Sequence, residues 1–159
     1  MKAEWDTYLE SIGVQGLFRK RVEDVVDFYQ EVYPGQIEDI FVTEYFDKDE
    51  NRQYESLWFF SESSMMEAKQ FLKEDDLDSA VLRQQVKYWT IKKTEYDFQE
   101  VTTKSRMVLQ FSLLSGVVGA LKASRENCAH LKRLFFKHII SNEIEGPSAA
   151  GQVEGGDGQ

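Results

Sequence analysis

The chain is poor in the residues that make disulfides, metal sites and rigid turns: among 159 residues there are one Cys, two His and two Pro. A lone Cys128 excludes an internal disulfide, and no basic amino-terminal stretch with an apolar core precedes a cleavage site. A reducing, cytoplasmic compartment is therefore expected. Long apolar runs are also missing. The longest, "MVLQFSLLSGVVGAL", is broken by Gln110, Ser112 and Ser115 and falls short of the ~18 apolar residues that cross a bilayer, so no membrane insertion is expected. Positive charge is scarce too: 19 Lys and Arg against 28 Asp and Glu leave a net charge of −9. That field repels phosphate backbones and anionic lipid, which argues against nucleic acid as a partner.

What the chain does have is apolar and aromatic content, 42% and 13% of residues, enough for the core of one domain. Before Pro34, "GLFRKRVEDVVDFYQEVYPG" places Phe18, Val22, Val25, Tyr29, Val32 and Tyr33 at helical spacing, with Arg19, Lys20, Glu23, Asp27 and Gln30 between them. The spacing predicts an amphipathic helix ended by Pro34, preceded by a shorter helix over residues 4–11 and a hinge at Gly13 and Gly16.

After Gly35 the period shifts toward two. "IEDIFVTEYF" (37–46) and "RQYESLWFFS" (52–61) are aromatic and β-branched, and "DKDEN" between them supplies turn residues, so they read as an antiparallel hairpin. "SSMMEAKQFL" (63–72) admits two readings: a short helix with Ser64 and Glu67 as its capping box, or a third strand of a meander. "KEDDLD" reads as a solvated connection, and "VLRQQVKYWTIKKTEYDF" as one long strand. In "SRMVLQFSL", Met107, Leu109, Phe111 and Leu113 alternate with Arg106, Gln110 and Ser112, so one face must be buried. "VVGALKA" is a short strand containing Gly119, and Ser124 is the expected N-cap of a last helix.

The expected fold class is α+β, with an N-terminal helix, an antiparallel bent sheet or barrel, and a C-terminal capping helix. Residues 1–36 form the N-terminal helical segment, 37–142 the β domain with its helix, and 143–159 an acidic tail. The stretch from Asn142 onward holds five of the ten glycines and no aromatic residue, too little apolar area to offset its ordering entropy, and is read as disordered from Glu145.

The scarce chemical residues gather in "SRENCAHLKRLFFKHII" (124–140), which holds Cys128, His130 and His138. At about 100° per residue, Cys128, Leu131, Leu134, Phe135 and Ile139 share one face, while Glu126 near the start and Lys132, Arg133 and Lys137 later complement the helix dipole. Cys128 and His130 project about 200° apart, and His130 and His138 are separated by about 12 Å of axial rise, so no two of them can bind one metal ion without a remote partner. The stretch is a docking helix, with Cys128 as a small buried hydrophobe and His138 on the flank of the apolar face, partly buried and hydrogen-bonded. "DKDENRQYESLW" opens like a calcium loop with Asp47, Asp49 and Asn51, but Arg52 and Trp58 stand where the turn glycine and the bidentate glutamate are required. Arg19, Lys20 and Arg21 read as a solvated helix face, and Asp75, Asp76 and Asp78 as a loop. No catalytic, metal or cofactor-binding residue is assigned, no cofactor is expected, and the chain is expected not to be an enzyme. Trp5, Tyr8, Trp89 and Tyr96 are the candidate partner surface, because aromatic side chains are favoured interface anchors; Trp5 and Tyr8 have the alternative role of pinning the first helix to the sheet.

"YESLWFFSESSMMEAKQF" as a strand pair and "SRMVLQFSLLSGVVGALKASRENCAHLKRLFFKHI" as a last hairpin running into a helix resemble the pleckstrin-homology-like superfold over residues 37–141. The resemblance implies a bent antiparallel barrel closed at one end by its last helix, and a protein- or peptide-binding module in which an extended segment adds to a sheet edge or lies beside that helix. Members that bind phosphoinositides use Lys and Arg around the first hairpin; "DKDENR" carries three acids to two bases, which argues against that ligand. The order of elements is also similar to the dimeric type III secretion chaperones, so a homodimer is a second expectation, favoured by a helix in "SSMMEAKQFL". A small barrel enzyme is a third reading, requiring His138 or a carboxylate to point into a pocket.

Overall fold

Helix α1 (Ala3–Ser11) stops where Gly13 takes the left-handed conformation, at φ 78°. The Gly13 N–H donates to the Glu10 carbonyl at 3.0 Å and the Val14 N–H to the Leu9 carbonyl at 2.9 Å, while Leu9 and Val14 are both buried. This is a Schellman turn with its apolar contact, and it accounts for the hinge expected at Gly13. Helix α2 (Gly16–Val32) follows, burying Val22, Val25, Val26 and Tyr29. Phe18 and Val32, expected on the core face, are 49% and 57% exposed. Val32 falls outside the arc of about 100° that the buried residues span, and Phe18 lies a turn before them, meeting Tyr54 edge-on at 6.0 Å.

The structure is a computed structural model that describes residues 1–32, 35–49, 51–62, 64–69, 80–82, 86–94, 106–113, 116 and 118–140, with 80–82, 86–89, 91–94 and 113 as backbone alone. Strands β1 (Asp39–Phe46), β2 (Arg52–Phe60), β3 (Ser64–Lys69) and β4 (Ala80–Leu82) form one antiparallel sheet in chain order. Strands β5 (Val86–Thr94), β6 (Arg106–Leu113) and β7 (Val118–Ser124) form a second. The fold is thus α+β, and its strands fall into two sheets rather than one closed barrel.

Two sequence readings are corrected or decided here. The 63–72 stretch contributes a strand, not a helix: the Ser64 hydroxyl lies 2.8 Å from that of Ser61 in the tight β2–β3 turn and caps nothing, and Met65 and Met66 are both buried. The long strand expected from Val81 is two strands, because the chain leaves the first sheet after Leu82 and enters the second at Val86. The "KEDDLD" connection, Pro34 and the 143–159 tail lie outside the described residues.

Strand β1 buries six consecutive residues from Asp39 to Glu44, so its period of two is hidden. A strand covered on both faces loses the alternation. Phe59 of β2 stacks on Tyr29 of α2 at 4.5 Å, while its neighbour Trp58, on the opposite face, meets Phe111 of β6 edge-on at 5.6 Å. Helix α2 and the second sheet therefore sandwich the first sheet. In β6, Met107, Leu109 and Phe111 are buried as the alternation requires. Gly119 of β7 stands opposite Phe111, whose ring fills the space a Cβ would take.

The last helix comprises α3 (Asn127–Leu134) and a π-helical continuation, Phe135–Ile140. Leu131, Leu134, Phe135 and Ile139 are buried as expected, and Cys128 is half-buried against the core rather than within it. Ser124 is not the N-cap. It ends β7, and its hydroxyl is committed to Glu44, so the cap position passes to Glu126 after a two-residue corner in which Arg125 takes φ 49°. Residues from α1, α2, both sheets and the last helix join one core cluster. Among the described residues no helix is long and apolar enough to cross a membrane.

Candidate functional site

An edge strand exposes backbone N–H and C=O groups that must be covered or answered. Along β1 they are answered by side chains of α1 and the last helix. The Val42 N–H donates to Tyr8 Oη at 3.0 Å, Asn127 Nδ2 donates to the Val42 carbonyl at 3.0 Å, and the Tyr8 hydroxyl donates to Asn127 Oδ1 at 2.9 Å. His130 Nε2–H donates to the Ile40 carbonyl at 2.8 Å, which leaves Nδ1 as the acceptor for Arg133 at 3.1 Å. The His130 ring stacks on Tyr8 at 3.7 Å between centroids. Burial pushes the Tyr8 hydroxyl up, and burial with the nearby Arg133 charge pushes His130 down to about 4 against the opposing bond to Ile40.

Each end of this seam carries a buried carboxylate. At the start of β1, Asp39 Oδ2 accepts from His138 Nε2 at 2.7 Å and Lys137 Nζ at 2.6 Å, while Oδ1 accepts from Arg133 at 3.2 Å. Burial by itself would raise the Asp39 carboxyl, but the bonds from His138 and Lys137 and the Arg133 and Lys137 charges outweigh it and hold the group well below its ordinary range. His138 is 1% exposed, stacks on Phe60 at 5.1 Å, and turns Nδ1 toward Glu38 Oε2 at 3.7 Å. It lies within the buried face, not on its flank: Asn127, Leu131, Leu134 and His138 repeat at i, i+4, i+7 and i+11.

At the far end, Glu44 Oε1 accepts from the backbone and hydroxyl of Ser124, and Glu44 Oε2 meets Arg52 Nε as an ion pair at 2.6 Å. Arg52 also donates to the Ile12 carbonyl at 2.9 Å and to Glu126 at 2.8 Å, and the Tyr54 hydroxyl donates to Ile12 at 2.7 Å. Burial dominates at the acid and holds the Glu44 carboxyl above its ordinary value in spite of Arg52; at Arg52 the acids outweigh burial, and its proton is held more tightly still. The α1–α2 junction, the β1–β2 hairpin and the β7–α3 corner are thus tied at one guanidinium.

These groups position secondary structure. His138 Nε2 is taken up by Asp39 and its ring stacks on Phe60. Burial pushes the Cys128 thiol up to about 11, the opposite of an activated nucleophile. Among the described residues no group of three His, Cys, Asp or Glu could hold a metal ion. At the first hairpin, Asp47 Oδ1 accepts from the N–H groups of Asp49 and Asn51 at 2.9 Å each, and these bonds, first that of Asn51, lower its carboxyl. That turn closes on its own carboxylate.

Of the four expected surface aromatics, Trp5 and Tyr8 are 2% and 7% exposed and pin α1 to the core, which corrects their placement on a partner surface. Trp89 is described as a backbone position of β5 paired with Phe111, and Tyr96 lies outside the described residues. The sequence reading missed Asp39, Glu44 and Asn127. An acid at each end of the apolar run "DIFVTE" was the available signal, because a charge inside a strand covered on both faces requires a partner.

The exposed large apolar side chains lie elsewhere. Among the described residues, Leu17, Phe18, Phe28 and Val32 belong to α2, with Leu17 86% exposed, and Met1, Tyr45, Val118 and Phe136 stand exposed singly outside α2. On about 100° per residue, Leu17, Phe28 and Val32 fall within about 60° of one another, beside the arc that packs on the sheet. No family model matches the chain, and neither a curated protein nor a solved structure matches it.

Proposed function

We propose that this chain is a non-catalytic protein-binding module of pleckstrin-homology-like order whose contact surface is the outward flank of α2. The observation that carries the reading is that Leu17, Phe28 and Val32 stand exposed on a helix whose neighbouring arc is docked on the sheet. The apolar arc of α2 is wider than the part that its own fold buries.

Two further observations support it. Antiparallel strands followed by a last helix are compatible with the order the superfold resemblance implies, although the strands form two sheets and not one closed barrel, and the strand at Ser64–Lys69 weighs against the secretion-chaperone alternative. The titratable clusters at Asp39 and Glu44 are spent on holding helices to β1, so addition of a peptide strand along that edge is blocked by Tyr8, Asn127 and His130. Phosphoinositide binding at the first hairpin is disfavoured because Asp47 occupies the backbone N–H groups an anion would use.

The test is a photoreactive amino acid placed at Phe28 or Val32, with exposed Glu62 as the control position, irradiated in an extract of the source cells. A discrete protein adduct is expected from the two α2 positions and not from Glu62, and Leu17→Asp should abolish it. Adducts that are absent, or identical at all three positions, refute the reading.

A further inference from the structure

We draw no further inference here: the strongest candidate, the exposed apolar flank of α2 at Leu17, Phe28 and Val32, belongs to the contact surface already proposed, and nothing in the structure shows what covers it.

Discussion

The Tyr8 hydroxyl donates to Asn127 Oδ1 at 2.9 Å, joining the first helix to the last across 119 residues of chain. Because the same oxygen accepts the Val42 N–H, Tyr8→Phe leaves a buried donor and a buried acceptor without partners. The expected loss is about 1 to 3 kcal/mol, read as a lower urea midpoint at unchanged slope. A loss below about 0.5 kcal/mol would show that the seam is not what holds α1 in place.

Gly119 is the second sensitive position. A Cβ there would overlap ring carbons of Phe111, so Gly119→Ala should cost about 1 to 3 kcal/mol. In a Phe111→Leu background the same substitution should be much milder, since the smaller side chain vacates the space. Additive effects in that double-mutant cycle would contradict the cross-strand contact.

Asp39 should make the protein acid-sensitive. Its folded carboxyl titrates below the ordinary value of 3.8, so the unfolded chain takes up the proton first; the stabilisation is complete above that pH and is lost as the pH falls below it. Asp39→Asn should cost about 1 to 3 kcal/mol at neutral pH, since it weakens the bonds from Lys137, Arg133 and His138 while both cations remain about half exposed, and should flatten the acid limb of the melting temperature against pH. An acid limb unchanged in the variant would place that proton uptake elsewhere.

His130 should titrate in the opposite sense to a paired histidine. With a folded value near 4 against 6.5 in the unfolded chain, its neutral form contributes stability that is complete above pH 6.5 and lost as the pH falls toward 4. An NMR titration of the imidazole resonances reads this directly. His130 is expected to remain the Nε2–H tautomer through pH 6, and a midpoint near 6.5 would mean that the ring is not held between Tyr8 and Ile40.

The elements themselves were legible where their periodicity was local. Val22, Val25 and Tyr29 marked α2, Met107, Leu109 and Phe111 marked β6, and Leu131, Leu134, Phe135 and Ile139 marked the docking face of the last helix. The candidate site was legible in composition but not in function. Asp39 and His138 were plain in the chain, 99 residues apart, and nothing in either neighbourhood names the other. Phe18 shares the buried side of α2 and is exposed, because spacing says which residues share a side of a helix and not how far along that side a neighbour reaches; Val32 lies just outside the arc that is buried.

By itself, then, the sequence determined the helices, the first hairpin, the alternating strand β6 and the lack of disulfide chemistry, since these follow from periods of about 3.6 and 2 and from residue counts. Tertiary structure decided whether residues 64–69 pair as a strand, where the chain changes sheet between Leu82 and Val86, and that Trp5 and Tyr8 face inward. It also decided that Ser124 answers Glu44 instead of capping a helix. Each of these depends on which distant group arrives to satisfy a buried backbone or charge, and that cost is set in three dimensions.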